Sequence, residues 1–157
     1  MKRCTVNTFI ILIISLGLYT CGSSSKGIFP EELKKNTELK QFIVDFEKAT
    51  EGHKMDKCLD FMDEKYKRIQ LEDLLKGRKA QFLDEFFSGT STKDGKYINI
   101  KFNQIESLIL QSISKTEKDF KVSYIVTTKK GECLKNDWLI RRQRDSPETF
   151  GLVGAYG

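Results

Sequence analysis

Residues 81–102, QFLDEFFSGTSTKDGKYINIKF, contain the change of period that decides the fold. Up to Phe87 the apolar residues recur at helical spacing, with Phe82, Leu83, Phe86 and Phe87 on one face. Ser88-Gly89 stops that pattern, and TSTKDG is rich in turn formers. Beyond it, Ile98, Ile100 and Phe102 alternate with Asn99, Lys101 and Asn103, the period of a strand with one buried face. Helices therefore precede this point and strands follow it.

Upstream, the spacing predicts three helices, with Pro30-Glu-Glu-Leu opening a short helical turn before them. Thr37 is the expected N-cap of the first, where Leu39, Phe42, Ile43 and Phe46 form a one-faced stripe and Gly52 is the stop. Asp56 is the expected cap of the second, in which Leu59, Met62 and Tyr66 share a face with Cys58 and Phe61 at its margins. The third spans Leu71 to Phe87. Downstream, residues 105–114 (IESLILQSIS) read as a more apolar continuation of the first strand past a bulge. Phe120, Val122, Tyr124 and Val126 then alternate with polar residues, and Trp138 and Ile140 oppose Leu139 and Arg141. The expected class is α+β: three N-terminal helices packed on a curved antiparallel sheet.

The first twenty residues carry a different signal. Lys2 and Arg3 precede an uncharged apolar run from Phe9 to Leu18, which reads as a secretory signal peptide too short to span a membrane well. Leu18-Tyr19-Thr20-Cys21 resembles the lipobox of bacterial lipoproteins, which implies acylation of Cys21 as the first mature residue; Thr20 departs from the usual small residue before the cysteine. Acyl chains contribute about 0.8 kcal/mol per buried methylene, so two or three of them make a durable membrane anchor. Residues 21–36 read as lipidated cysteine and flexible tether, and 37–157 as one domain. Gly22 after the cysteine implies, by the sorting rule of Gram-negative lipoproteins, an outer-membrane domain facing the periplasm.

The chain carries a formal charge of +5, which falls to +3 without Lys2 and Arg3, with both signs interspersed; no nucleic-acid footprint is visible. Of four cysteines, Cys4 leaves with the signal peptide and Cys21 is lipidated. Cys58 and Cys133 remain, either bridged by a disulfide or buried as free thiols. No Cys/His cluster suggests a metal, and no cofactor motif is present.

The order of elements, together with QFLDEFFSG at the helix end, the polar turn from Glu51 to Asp56 and the NDWLIRR strand, resembles the NTF2-like superfamily over roughly residues 37–145. It is similar in particular to small bacterial lipoproteins near the lumazine-binding-like domains. The Gly-Lys-Trp-like motif of that group is represented here only by Asn136-Asp137-Trp138, and FGLVGAYG at residues 150–157 has no counterpart. The resemblance implies a cone-shaped cavity between helices and sheet, and sheet-mediated dimers in many relatives. Enzymes of the superfamily that resemble ketosteroid isomerase or scytalone dehydratase place a carboxylate or histidine, with tyrosine donors, inside the cone.

No such base is evident here. His53, the sole histidine, reads as an exposed turn residue, and the inward strand positions hold no acid. Asp60, Asp63 and Asp84 fall off the apolar stripes. The functional candidates are instead aromatic: Tyr66, Phe82, Phe86, Tyr124 and Trp138 can line an apolar pocket, the plain alternative for each being core packing. The run Arg141-Arg142-Gln143-Arg144 reads as a solvated strand end or a contact for an anionic ligand or lipid headgroup. Residues 150–157 are expected to pack as a last strand or to plug the cavity mouth. The sequence thus favours a membrane-tethered, non-enzymatic module for a small apolar ligand or a protein partner; the alternative is a small lyase or isomerase with an acid in the cone.

Overall fold

The computed structural model describes residues 36–143 and 149–154. The expected signal peptide, nearly all of the expected tether including Cys21, the expected turn at Pro30, Arg144 and residues 155–157 lie outside them.

The first helix, α1, runs Thr37–Glu51. Asn36, not Thr37, caps it: its side-chain oxygen accepts the Leu39 N–H at 3.0 Å. Leu39, Ile43, Phe46, Ala49 and Thr50 are the buried face. After Gly52 the chain turns through His53 at φ 50° and enters α2, Met55–Asp60. Asp56 is inside that helix rather than its cap, and bonds Lys79 Nζ at 2.8 Å.

The second and third predicted helices are divided differently from the expectation. Met62 leaves the helical path to bridge Leu152, and Asp63 then caps a new helix, α3, Glu64–Lys67, accepting the Tyr66 N–H at 2.9 Å. The chain widens into π-type turns over Arg68–Leu74 and stops where Lys76 and Gly77 take left-handed φ values of 50° and 74°. Only then does α4, Lys79–Phe87, begin. Among the described residues four α-helices thus replace the expected three, because the bridge at Met62 divides the second and the Lys76-Gly77 turn interrupts the span Leu71–Phe87.

Among the described residues six strands form one antiparallel sheet: β1 Gly89–Ser91, β2 Tyr97–Ile98, β3 Ile105–Lys115, β4 Asp119–Thr128, β5 Cys133–Arg142 and β6 Phe150–Val153, in the order β2-β1-β5-β4-β3 with β6 also on β5. Of the predicted strand only its start forms, with Ile98 in β2 opposite Gly89; Ile100 and Phe102 are not part of it. Ile100 and Phe102 are buried as their alternation requires, but their N–H groups bond to the end of α4: Ile100 to Ser88 Oγ at 3.0 Å and Phe102 to Asp84 Oδ1 at 2.8 Å. Main-chain donors satisfied by side chains need no ladder. β3 is accordingly a separate strand, with register shifts between Ile105 and Ser107 and between Leu110 and Ser112.

One face of the sheet (Leu108, Ile113, Val122, Tyr124, Val126, Leu134, Trp138, Ile140) joins the buried helix residues in a single core. The class is α+β.

β6 is the last strand that residues 150–157 were expected to supply, and all four of its residues are buried. It is held on both sides. β5 pairs with it from Arg142↔Phe150 to Leu139↔Val153, while Phe61 O accepts the Leu152 N–H and Leu152 O accepts the Asp63 N–H, each at 2.8 Å. Gly151 makes that close approach feasible, since a Cβ there would come within 2.7 Å of Asp63 Cα. Gly151→Ala is expected to cost about 1–2 kcal/mol and lower Tm by several degrees; thermal melts with identical midpoints would show that β6 is not clamped in this way.

Candidate functional site

β4 occupies one edge of β5 along its whole length. Two short strands share the other edge, β1 at Leu134–Lys135 and β6 at Leu139–Arg142. The main chain of a strand points alternately to its two edges. Cys133 O accepts the Thr92 N–H and Gln143 donates to Thr149 O, both at 2.9 Å, so the odd-numbered residues of β5 face this shared edge. Between Lys135, opposite Thr90, and Leu139, opposite Val153, that leaves Asp137 facing the break with no main-chain partner there among the described residues.

A pocket of about 570 Å³ opens at this break. Its aromatic wall is Tyr66, Phe82 and Phe86; Asn136, Asp137, Ser88 and Thr90 form the sheet side, with Glu85, Lys135 and the largely exposed Tyr97 at the rim. Gly154 closes the β6 end, where any side chain would collide with the Tyr66 hydroxyl. Burial, with the Glu85 charge, pushes the Tyr66 phenol up to about 12 against the opposing hydrogen bond with the Gly154 main chain. It is therefore a neutral hydroxyl at physiological pH. Burial works against the Asp137 carboxylate, but the Ser123 hydroxyl, which donates to it, and Lys121 and Lys135 hold its pKa below the usual range.

The five predicted aromatic residues form one chain of ring contacts. Phe82 and Phe86 lie 5.8 and 6.4 Å from Tyr66, Trp138 stacks on Phe86 at 4.8 Å, and Tyr124 lies 5.2 Å from Trp138. Only the first three line the pocket; Trp138 and Tyr124, each 1 % exposed, are core behind it. Buried Trp138 Nε1 has no hydrogen-bond partner among the described residues, and the rings of Phe46 and Phe87 stand edge-on to the indole.

Sequence reasoning missed the acid at the inner end of this chain. The Tyr124 hydroxyl donates to Glu47 Oε1 at 2.9 Å. Burial between helix and sheet raises the Glu47 carboxyl to about 7; the Tyr124 hydrogen bond opposes the shift and the Glu51 charge adds to it. The available signal was positional: Glu47 follows Ile43 by one helical turn, so the edge of the apolar stripe carries it towards the sheet.

The remaining candidates are structural. His53 is half-buried, not exposed: its Nε2 lies 2.8 Å from Ile105 O and its ring stands edge-on to Phe102. Asp84 and Asp63 serve main-chain N–H groups as described above, and Asp60 is exposed. Arg141 pairs with Asp119 at 3.3 Å, and Arg142 with Glu38 at 3.5 Å and with the Phe150 ring, so these two are tied within the fold. Cys58 is a buried free thiol 3.6 Å from Thr50 Oγ1, raised to about 11 by burial; the open possibility of a Cys58–Cys133 bridge is thereby closed. Among the described residues no group of side chains could hold a metal ion, and no helix is long and apolar enough to cross a membrane.

Glu47 gives a pH dependence whose sign follows from its raised pKa. The folded state binds this proton more tightly than the unfolded chain, so the associated stability is complete below about 4.5 and is lost as pH rises through about 7. Melts between pH 5 and 8 should therefore show a decline that Glu47→Gln flattens. Parallel curves for the two proteins would contradict the assignment. No protein-family model, no curated protein and no solved structure matches this chain.

Proposed function

We propose that this chain is a bacterial lipoprotein, anchored through Cys21, whose α+β domain is of the NTF2-like type and binds a small, largely apolar ligand without transforming it. The observation that carries the binding reading is the pocket at the sheet break: an aromatic wall, hydrogen-bonding groups on the opposite side, and a volume of about 570 Å³, within the range of small-molecule sites. Tyr66, Phe82 and Phe86 supply the apolar contact, while Asn136, Ser88 and Thr90 orient the polar end of the ligand. The signal peptide, the lipobox-like Leu18–Cys21 and the Gly22 that follows support a place in the cell envelope, at the outer membrane facing the periplasm.

A lyase or isomerase reading has one observation in its favour, the Glu47 carboxyl near neutrality beside a tyrosine. It ranks second because Glu47 does not line the pocket, and Trp138 and Tyr124 separate it from the pocket wall along the chain of rings.

Native mass spectrometry of residues 22–157, secreted and purified without detergent, should show one bound small molecule per chain. Thr90→Trp, which blocks the mouth from an exposed position, should lose that mass while keeping its Tm. A ligand-free wild-type mass that no added amphiphile shifts would overturn the small-ligand reading in favour of a protein partner. For the anchor, Cys21→Ser should move the full-length protein from the membrane to the soluble fraction; retention on membranes would refute lipidation at this residue.

A further inference from the structure

Glu47 and Tyr124 join α1, the longest helix among the described residues, to the centre of the sheet, and the ring contacts continue from them to the pocket. The carboxyl lies on α1, and the phenol projects from the core face of β4, opposite Leu110 of β3 and Asn136 of β5. The hydroxyl of Tyr124 donates to Glu47 Oε1 at 2.9 Å. Tyr124 packs against Trp138 at 5.2 Å, and Trp138 stacks on Phe86 at 4.8 Å with the planes 18° apart. Phe86 lines the pocket.

We infer that Glu47 and Tyr124 form a proton-operated latch between α1 and the sheet, coupled through Trp138 to the Phe86 wall of the pocket. With the proton on, a neutral carboxyl fits the half-buried seam and accepts from Tyr124. With the proton off, a carboxylate is held there beside a second acid. The groups that act on it are Glu51, one turn further along α1, and Tyr124 from β4, and neither is a cation. Glu51 is itself fixed by the Leu108 N–H of β3 at 3.3 Å, so it stays near Glu47 rather than swinging away. From β3, the neighbours of this seam, Leu108 and Leu110, are apolar. The ionised form is relieved by loosening α1 from the sheet and admitting water, and Tyr124 moves with the group it serves. A packed core transmits such a shift because its side chains have little free space.

The inference concerns the ligand-free protein and stands whether or not the pocket takes a small molecule. Its natural reporter is Trp138, the only tryptophan of the chain. Tryptophan emission of the protein of residues 22–157 is recorded from pH 5 to 9 without ligand. The expected result is a reversible change in emission with a midpoint near 7, lost in Glu47→Gln, which keeps the shape and the hydrogen-bond acceptor. Two further variants should move the midpoint in opposite directions. Tyr124→Phe removes a bond that favours the carboxylate and should raise it; Glu51→Gln removes a repelling charge and should lower it. His53→Gln should leave it in place. A flat wild-type titration, a transition that survives Glu47→Gln, shifts of the same sign in Tyr124→Phe and Glu51→Gln, or loss of the transition in His53→Gln would each overturn the latch.

Discussion

β5 needs main-chain partners on both edges, and only β4 supplies a full-length one. On the other edge β1 and β6 lie end to end, drawn from distant parts of the sequence, and among the described residues their ends leave Asp137 without a main-chain partner. The helices are arranged by the same constraint. α4 must end at Ser88 for β1 to start beside Lys135, and the chain must stop being helical at Met62 for the 61–63 segment to receive β6. Gly151 in β6 and Gly154 at its exit lie against Asp63 and Tyr66 of the helical layer, and both lack room for a Cβ. The pocket is thus a consequence of how the sheet is completed rather than a hollow in the middle of the core.

The core itself is filled with rings. Phe46, Phe86, Phe87 and Tyr124 all contact Trp138, with centroids between 4.8 and 5.9 Å. A ring cluster of this kind is dry and apolar, which is why a single carboxyl at its margin is so strongly affected. Glu47 stays near the sheet because Tyr124 offers it a donor. A half-buried acid with one donor and a like charge nearby is poised to respond to pH, whereas Asp84, with a main-chain donor and the Lys101 ammonium, is a fixed structural tie.

Much of the architecture was legible from periodicity. The stripe of Leu39, Ile43 and Phe46, and the alternation in β4 and β5, each report one buried face, and the change of period near residue 89 is real. What misled was burial without a ladder. Ile98, Ile100 and Phe102 alternate like a strand because alternate side chains enter the core, yet two of their N–H groups go to Ser88 and Asp84 of the preceding helix and its cap. The break of the predicted helix at Met62 depends on Leu152, ninety residues away in sequence, and no local signal contains it. The Lys76-Gly77 turn, by contrast, had a visible cue in its glycine. At the site, the aromatic set could be named from residue type, but its division into pocket wall and core depends on the break in the second edge of β5. Glu47 was overlooked because one charge beside an apolar stripe usually faces water.

The second edge of β5 is interrupted at Asp137 among the described residues, and the pocket lies at this interruption. Amide hydrogen exchange, followed residue by residue by NMR, addresses it directly. The amides of Lys135 and Leu139 should be protected by β1 and β6, while that of Asp137 between them should exchange orders of magnitude faster. An Asp137 amide as protected as its odd-numbered neighbours would mean that the edge is continuous, and the pocket would lose its place in the fold.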